Sequence, residues 1–227
     1  MLTRAKGSLI VALAVILLAS TAHAGLLGTY YNLSSAHPDM QSAITGLDTG
    51  LVESTLTGSA PTLSTYGATR ISQFDWWNPA YQVFTRTDSE ADLQGGFLHP
   101  WFPVDTGLPG DPYHFAVHWG GQFYVDSDKS YDYSMGSDDD SWLFIDGELV
   151  LDLGGIHGVT YGAYTVDLTE GYHDIDIFFA ERHTTHSAFQ LNFFSDLEPE
   201  PVPEPATMLL LGTGLVGLVG LRKRLRR

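Results

Sequence analysis

From Tyr113 onward, apolar and polar side chains change places at every second position. Phe115, Val117 and Trp119 alternate with other residues, as do Tyr131, Tyr133 and Met135, and later Tyr164, Val166 and Leu168. Ile175, Ile177 and Phe179 are interleaved with Asp174 and Asp176, and Phe189 to Phe194 forms a last apolar run. A period of two sends successive side chains to opposite faces of a strand, so the pattern predicts a series of short strands, each buried on one face. Two turn signals divide them. Asp146-Gly147 joins Leu143–Ile145 to Leu149–Leu153 and reads as a tight hairpin, because both residues tolerate the positive φ that such a turn requires. Glu170-Gly171 marks the other turn. No amphipathic helical period of comparable strength occurs, and the expected fold is an all-β, antiparallel β-sandwich. Residues 25–112 are richer in Gly, Ser, Thr and Pro and predict long loops.

The two ends are patterned differently. Arg4 and Lys6 precede an apolar run from Leu9 to Ala19 and then Ala22-His23-Ala24, which marks residues 1–24 as a secretory signal cleaved before Gly25. Eleven apolar residues at about 1.5 Å each are too short to cross a hydrocarbon core about 30 Å thick. At the other end, a stiff Pro- and Glu-rich linker (195–202) leads to Pro203-Glu204-Pro205, an apolar stretch from Ala206 to Leu221, and a basic cluster, Arg222 to Arg227. The apolar stretch is just long enough to span a membrane, with the basic cluster kept cytoplasmic. A plain C-terminal anchor would have the same physics. The Pro-Glu-Pro triplet, however, makes the order resemble the PEP-CTERM sorting signal (203–227) of Gram-negative bacteria that make extracellular polysaccharide. That resemblance implies transient anchoring in the inner membrane, cleavage by an exosortase-type enzyme, and delivery to the cell envelope or extracellular matrix.

Composition narrows the function of the one domain left between the tails, residues 25–194. The chain has 227 residues, 44% of them hydrophobic, and no Cys, so it can build a core but has no disulfide to staple it. Seven of its eleven cationic residues lie in the tails, leaving residues 25–203 with 26 acidic and 4 basic side chains. Such a field repels a phosphate backbone and excludes a nucleic-acid partner, while it favours multivalent cations.

Strand parity brings three polar segments to one rim. With Asp146-Gly147 at the bottom of its hairpin, Asp138-Asp139-Asp140 and Gly154-Gly155-Ile156-His157-Gly158 stand together at the top. A further pair of strands turning at Glu170-Gly171 returns Glu181-Arg182-His183 to the same end, provided each strand crosses the whole sheet. Three consecutive carboxylates repel one another, by about 1 kcal/mol per pair at 4 Å in water and by more where water is excluded. Either the cluster is a solvated acidic turn, or a cation offsets the repulsion. Calcium suits the second case, since it takes six to eight hard oxygens in irregular geometry. Glu181 continues the inward parity of Ile175, Ile177 and Phe179, and an inward carboxylate needs a partner. That partner is Arg182 or His183, or else Glu181 joins the cation site. The candidate metal ligands are therefore Asp138, Asp139, Asp140 and Glu181.

Other patterns are weaker. Asp126-Ser127-Asp128 opens like a calcium-binding EF-hand loop, but Tyr131 stands where that loop needs Gly and Ser137 where it needs Glu. His183 and His186 lack the helical His-Glu-x-x-His frame of a zinc site, and no nucleophile elbow, phosphate loop or dinucleotide fingerprint is present.

The run from Ser137 to Gly147, the segment Asp152-Leu153-Gly154-Gly155-Ile156-His157-Gly158, and Phe178-Phe179-Ala180-Glu181-Arg182-His183 together resemble the fibro-slime domain. The likeness spans residues 97–194, including Phe102-Pro103-Val104-Asp105 and Tyr113-His114-Phe115, and continues more loosely at Tyr30-Tyr31-Asn32 and His37-Pro38-Asp39. That family is similar to the protective-antigen-type β-sandwich, whose lectin members hold calcium with an adjacent Asp-Asp pair and use it to bind sugar hydroxyls. The resemblance places that pair on Asp138 and Asp139. It also shows a departure, since Ala188 stands where the family often has Asn just before the last strand.

The implied function is an exported, calcium-dependent, non-catalytic module that binds the extracellular polysaccharide. The alternatives are a structural matrix protein whose metal only stabilises the fold, and a glycan hydrolase using Asp and Glu. If sugar binds at the rim, aromatic faces should stack on it, and Trp76, Trp77 and Trp101 are the candidate rings because they lie among the expected loops; core packing is their other reading. His157, Arg182 and His183 are the candidate hydrogen-bond donors, unless Arg182 is taken up by Glu181.

Overall fold

The computed structural model describes residues 25–40, 43–89, 93, 113–184 and 187–192. Its strands are β1 (Gly25–Asn32), β2 (Gln82–Ser89), β3 (Phe115–Val125), β4 (Lys129–Asp138), β5 (Asp140–Ile145), β6 (Glu148–Leu153), β7 (Thr160–Leu168), β8 (Gly171–Glu181) and β9 (Ala188–Asn192). They form two sheets, a six-stranded one in the order β2-β1-β3-β8-β5-β6 and a three-stranded one in the order β7-β4-β9. Every pairing within them is antiparallel. The all-β sandwich expected from the alternation is the fold observed.

From Phe115 onward the strands form where the period of two was read, whereas β1 and β2 arise within residues 25–112, which were expected to be loops. Phe115, Val117, Trp119, Tyr131, Tyr133, Met135, Ile175, Ile177 and Phe179 meet between the sheets in one apolar cluster, joined by Phe189 and Leu191 of β9. Asp146 and Gly147 carry φ of 51° and 78°, the left-handed pair that closes the β5–β6 hairpin with the twist of its strands.

A second core was not legible in the alternation. The lower half of β8 alternates buried and open positions, yet from Ile177 to Glu181 every residue is buried. The reason lies in the first half of the chain, whose loops form a third layer on the outer face of the large sheet. Trp76, Trp77, Leu33, Met40, Leu51 and Ile71 pack there against Trp142, Phe144, Phe178, Ala116 and Ala180. Among the described residues of 33–81, two short 3-10 turns, Gly67–Thr69 and Pro79–Tyr81, interrupt this layer.

Backbone hydrogen bonds fasten the layer to the hairpin. Leu56 donates to the Gly147 carbonyl at 2.7 Å and Leu149 to that of Ser54 at 2.8 Å, which covers the open edge of β6. Higher up, Thr45 and Gly46 both donate to the Ile156 carbonyl at 2.9 Å, and Asp48 donates to that of Gly154 at 2.6 Å. Gly155 makes this clasp possible. Its φ is +110°, and a Cβ there would lie 2.3 Å from the Gly46 oxygen.

Among the described residues no helix is long and apolar enough to cross a membrane. The expected secretory signal, the linker, the sorting segment and its membrane stretch lie outside the described residues.

Candidate metal centre

Between β4 and β5 the chain changes sheets. Asp138 ends a strand of the small sheet, Asp140 begins one of the large sheet, and Asp139 is the single residue between them. The Asp138–Asp139 peptide bond is cis. All three carboxylates are buried at the seam of the sandwich rather than solvated on a turn. β8 brings Glu181 to the same level, since Ala180 pairs with Asp140 and Glu181 with Phe115. The three-motif rim inferred from strand parity is thus present, and Glu181 points inward with 0% exposure.

Ligand-capable oxygens of Asp138, Asp139 and Glu181 all lie within 4.8 Å of one another. Each part of the surroundings has a sequence cause. Asp139 Oδ1 accepts the His157 N–H at 2.9 Å, and Oδ2 accepts the Arg182 and His183 N–H groups at 3.1 and 3.0 Å. The Gly154–Gly158 loop and the end of β8 therefore converge on this one carboxylate. Glu181 Oε1 accepts the His183 N–H at 3.0 Å, while Oε2 is buried with no hydrogen-bond partner. An orphaned, buried acceptor facing two further carboxyls needs a proton or a cation.

The electrostatics say the same. Burial pushes the Asp139 carboxyl up to about 7, with the charge of Asp140 adding to it. Burial raises Asp138 to about 6, against the opposing influence of His157. Glu181 is pushed up to about 12, first by burial and then by the charges of Asp139 and Asp138. Without a metal the centre holds protons it would not hold in water. The donor set is composed of hard oxygens alone, at the spacing of a shared ion, and fits calcium; Asp138, Asp139 and Glu181 would hold it.

Several expected site residues serve elsewhere. Asp140 is not one of the clustered ligands. It takes the Arg182 guanidinium as a fork, Nε to Oδ2 at 2.7 Å and Nη2 to Oδ1 at 3.0 Å, and its Oδ1 also accepts the Gly155 N–H at 2.6 Å. Arg182 accordingly neutralises Asp140, not Glu181, and its guanidinium lies 4.7 Å over the Trp76 ring. With its side chain committed in this way, Arg182 is not a surface sugar donor.

His157 is buried too. Its two ring nitrogens face the carbonyls of Gly158 at 2.9 Å and Leu153 at 3.1 Å, so it braces the loop and does not reach out to a ligand. Trp76 and Trp77 are 0% and 6% exposed, packed together and against Trp142 in the second core. Neither can stack on a sugar, because the loops that carry them exist to bury them. Trp101 and His186 lie outside the described residues. His183 is half-buried at the rim and keeps its place among the candidate donors. Ala188 pairs directly opposite Asp138 and offers its neighbour no side-chain oxygen.

Two supporting carboxylates were not singled out in the sequence. Asp39 accepts from the Ser72 N–H and hydroxyl at 2.8 and 2.7 Å, from the Gln73 N–H at 3.0 Å and from Trp76 Nε1 at 3.3 Å. Burial would raise its pKa, but these bonds outweigh it and hold it below the usual carboxylate range. Asp152 accepts from Gly50, Gly154 and Trp142 Nε1 at 2.6, 2.9 and 2.8 Å. Both sit in segments that carry the family likeness, His37-Pro38-Asp39 and Asp152-Leu153-Gly154, which was the available signal.

Comparison with known proteins bears on this arrangement. The family model of the PA14 domain matches residues 64–205, and that of the PEP-CTERM protein-sorting motif matches residues 201–227. Protein psiB of Dictyostelium discoideum is 36% identical over 110 residues, which is 40% of this chain and 19% of psiB. The chain spans about a fifth or less of the length of the first such curated relatives. Among solved structures, the PA14 domain of the antifreeze protein MpAFP is similar at 18% identity, with 76% of this chain and 83% of that one covered and a TM-score of 0.37. The Epa9 A domain of Candida glabrata, in complex with Galβ1-4GlcNAc, is similar at 13% identity over 75% of this chain and 81% of that one, with a TM-score of 0.42. The PA14 model covers more than half of the sequence and includes the whole acidic centre, so the chain belongs to the PA14 domain family, and its PEP-CTERM motif marks it for export and sorting.

Proposed function

We propose that this protein is an exported, calcium-dependent, non-catalytic module that attaches to extracellular polysaccharide. The observation that carries the reading is the Glu181 Oε2 atom, buried and unpartnered within reach of the Asp138 and Asp139 carboxylates. A cation would satisfy all three groups and discharge their mutual repulsion. Calcium with coordination positions left open toward the rim can take sugar hydroxyls directly, with His183 beside it as a donor. Affinity for a single sugar would be low, since so small a ligand buries few atoms, and attachment would come from many copies along a repeating polymer.

The same burial favours a second reading. A metal enclosed between Asp139 and Glu181, which are 1% and 0% exposed, can serve the fold alone and make the protein a structural component of the matrix. Retention on a panel of neutral and acidic polysaccharides, with calcium and with EDTA, separates the two. Calcium-dependent retention is expected; calcium-dependent stability without any retention would leave the structural role.

The PEP-CTERM motif supports processing by an exosortase-type enzyme after transient anchoring in the inner membrane through 206–221. Intact-mass measurement on protein from the native host should give a start at Gly25 and loss of the chain beyond about Pro205. A mature species that keeps Arg222 to Arg227 would contradict it.

A further inference from the structure

The outer face of the large sheet is open where the loop layer ends. At the bottom of β3 and β8, Tyr124 pairs across the strands with Tyr172, the rings 5.0 Å apart at 63°. They are 37% and 61% exposed. One row up, Gln122 faces Asp174 and donates to it at 2.8 Å. In the next row Gly120 faces Asp176, whose carboxylate is bound by His118 Nε2 at 2.7 Å from the row above. Gly120 carries no side chain to rise from the sheet, and on its other side it is paired with the exposed Leu27. The result is a shallow strip with two rings at one end and two tethered polar pairs beyond them. Successive rows are two residues apart, about 6.8 Å, so the strip from Tyr124 to His118 is roughly 20 Å long.

From this juxtaposition we infer a second binding site, independent of metal, for a neutral polysaccharide chain. The Tyr rings supply apolar faces for the C–H surfaces of a sugar ring. Gln122 and the free lone pairs of Asp174 and Asp176 supply donors and acceptors for hydroxyls at fixed intervals. Because each polar side chain is already held by its partner, little ordering cost attends binding. The charge of the face selects the occupant. Asp174 and Asp176, within a segment (25–203) that carries 26 acidic side chains against 4 basic ones, repel a uronate or sulfated polymer. Two rings and Leu27, separated by carboxylates, make too little apolar surface for a protein partner, which needs about 800 Å² on each side. The site also lies far from the acidic centre. Tyr172 and Glu181 are at opposite ends of β8, about 30 Å apart, so one chain could tie two polysaccharide strands together.

Affinity electrophoresis of the exported protein in EDTA tests the inference, with hydroxyethylcellulose and galactomannan as neutral probes and polygalacturonate as the acidic one. Retardation by a neutral probe is expected, with none by polygalacturonate. A Tyr124→Ala/Tyr172→Ala variant should bind about tenfold more weakly at an unchanged melting temperature, whereas Tyr172→Phe should bind as the wild type does. If the double variant melts early, Tyr172→Ala alone decides, since that ring is the more exposed of the two. Absence of retardation in EDTA, equal retardation of the alanine variants, or preference for polygalacturonate would each overturn it. Retention seen only with calcium would uphold the rim site and sink this one, so the two readings fail separately.

Discussion

Replacing Glu181 by Gln separates a metal centre from a merely buried acid. In the metal-free protein Glu181 holds its proton, being pushed up to about 12 from an ordinary value of 4.5. The amide copies that protonated form in shape and charge. The sign of the effect follows from the direction of the shift. A carboxyl whose pKa is raised on folding contributes fully below its unfolded value, and the contribution is lost as pH rises above it. Between pH 4.5 and 7 the loss is about 2.5 pH units at 1.36 kcal/mol each, or roughly 3 kcal/mol as an upper figure. Gln has no such slope, and its extra N–H can donate to the Asp138 or Asp139 carboxylate within the 4.8 Å cluster.

In EDTA at pH 7 the variant should therefore melt several degrees above the wild type, at about 2–4 °C per kcal/mol for a domain of this size. The two melting curves should converge near pH 4. Calcium should reverse the ranking. At a thousandfold excess over Kd it stabilises the wild type by about 4.1 kcal/mol, more than the deficit of roughly 3 kcal/mol, and the variant, short of one charged ligand, gains little. Differential scanning fluorimetry across this pH range, with EDTA and with calcium, reads all of this at once. A Gln variant that melts below the wild type in EDTA and keeps the full calcium shift would refute the reasoning, because Glu181 would then be neither strained nor a ligand.

Removing Arg182 should be costly with or without calcium. Arg182→Ala leaves Asp140 charged and unpaired in the interior, a loss of about 3–5 kcal/mol visible in urea denaturation. Trp76→Ala should cost a similar amount through the cavity it opens, and in the protein that still folds, polysaccharide retention should stay at the wild-type level; selective loss of retention would mean the ring does meet sugar. Gly155→Ala should destabilise by more than about 1 kcal/mol and weaken calcium binding, since it forces Gly46 away from the loop that orients Asp139; isothermal titration with calcium measures the second effect. For the wild type in EDTA, the raised pKa values of Asp138 and Asp139 predict a melting temperature that falls from pH 4 to 7, and saturating calcium should flatten or invert that trend.

Period and turn chemistry are local properties, and what depends on them could be read from the chain alone. The alternation in Ile175–Phe179 fixed the inward face of β8 and carried Glu181 into the interior with it. Asp146-Gly147 closed the hairpin and so set Asp138–Asp140 beside Gly154–Gly158. What the sequence could not specify was which partner each polar group would take, because several were within reach and only packing chose among them. Arg182 follows Glu181 directly and strand alternation turns it the other way, to Asp140 and the Trp76 ring on the side of the loop layer. Trp76 and Trp77 looked available because their segment has no strand period, yet irregular backbone can still cover a sheet, and an apolar sheet face such as Trp142–Phe144–Phe178 is where large rings lose most contact with water. Asp140 reads like its two neighbours in the sequence. It was separated from them by the change of sheet at Asp139, which divides three consecutive carboxylates between the oxygen cluster shared with Glu181 and the arginine.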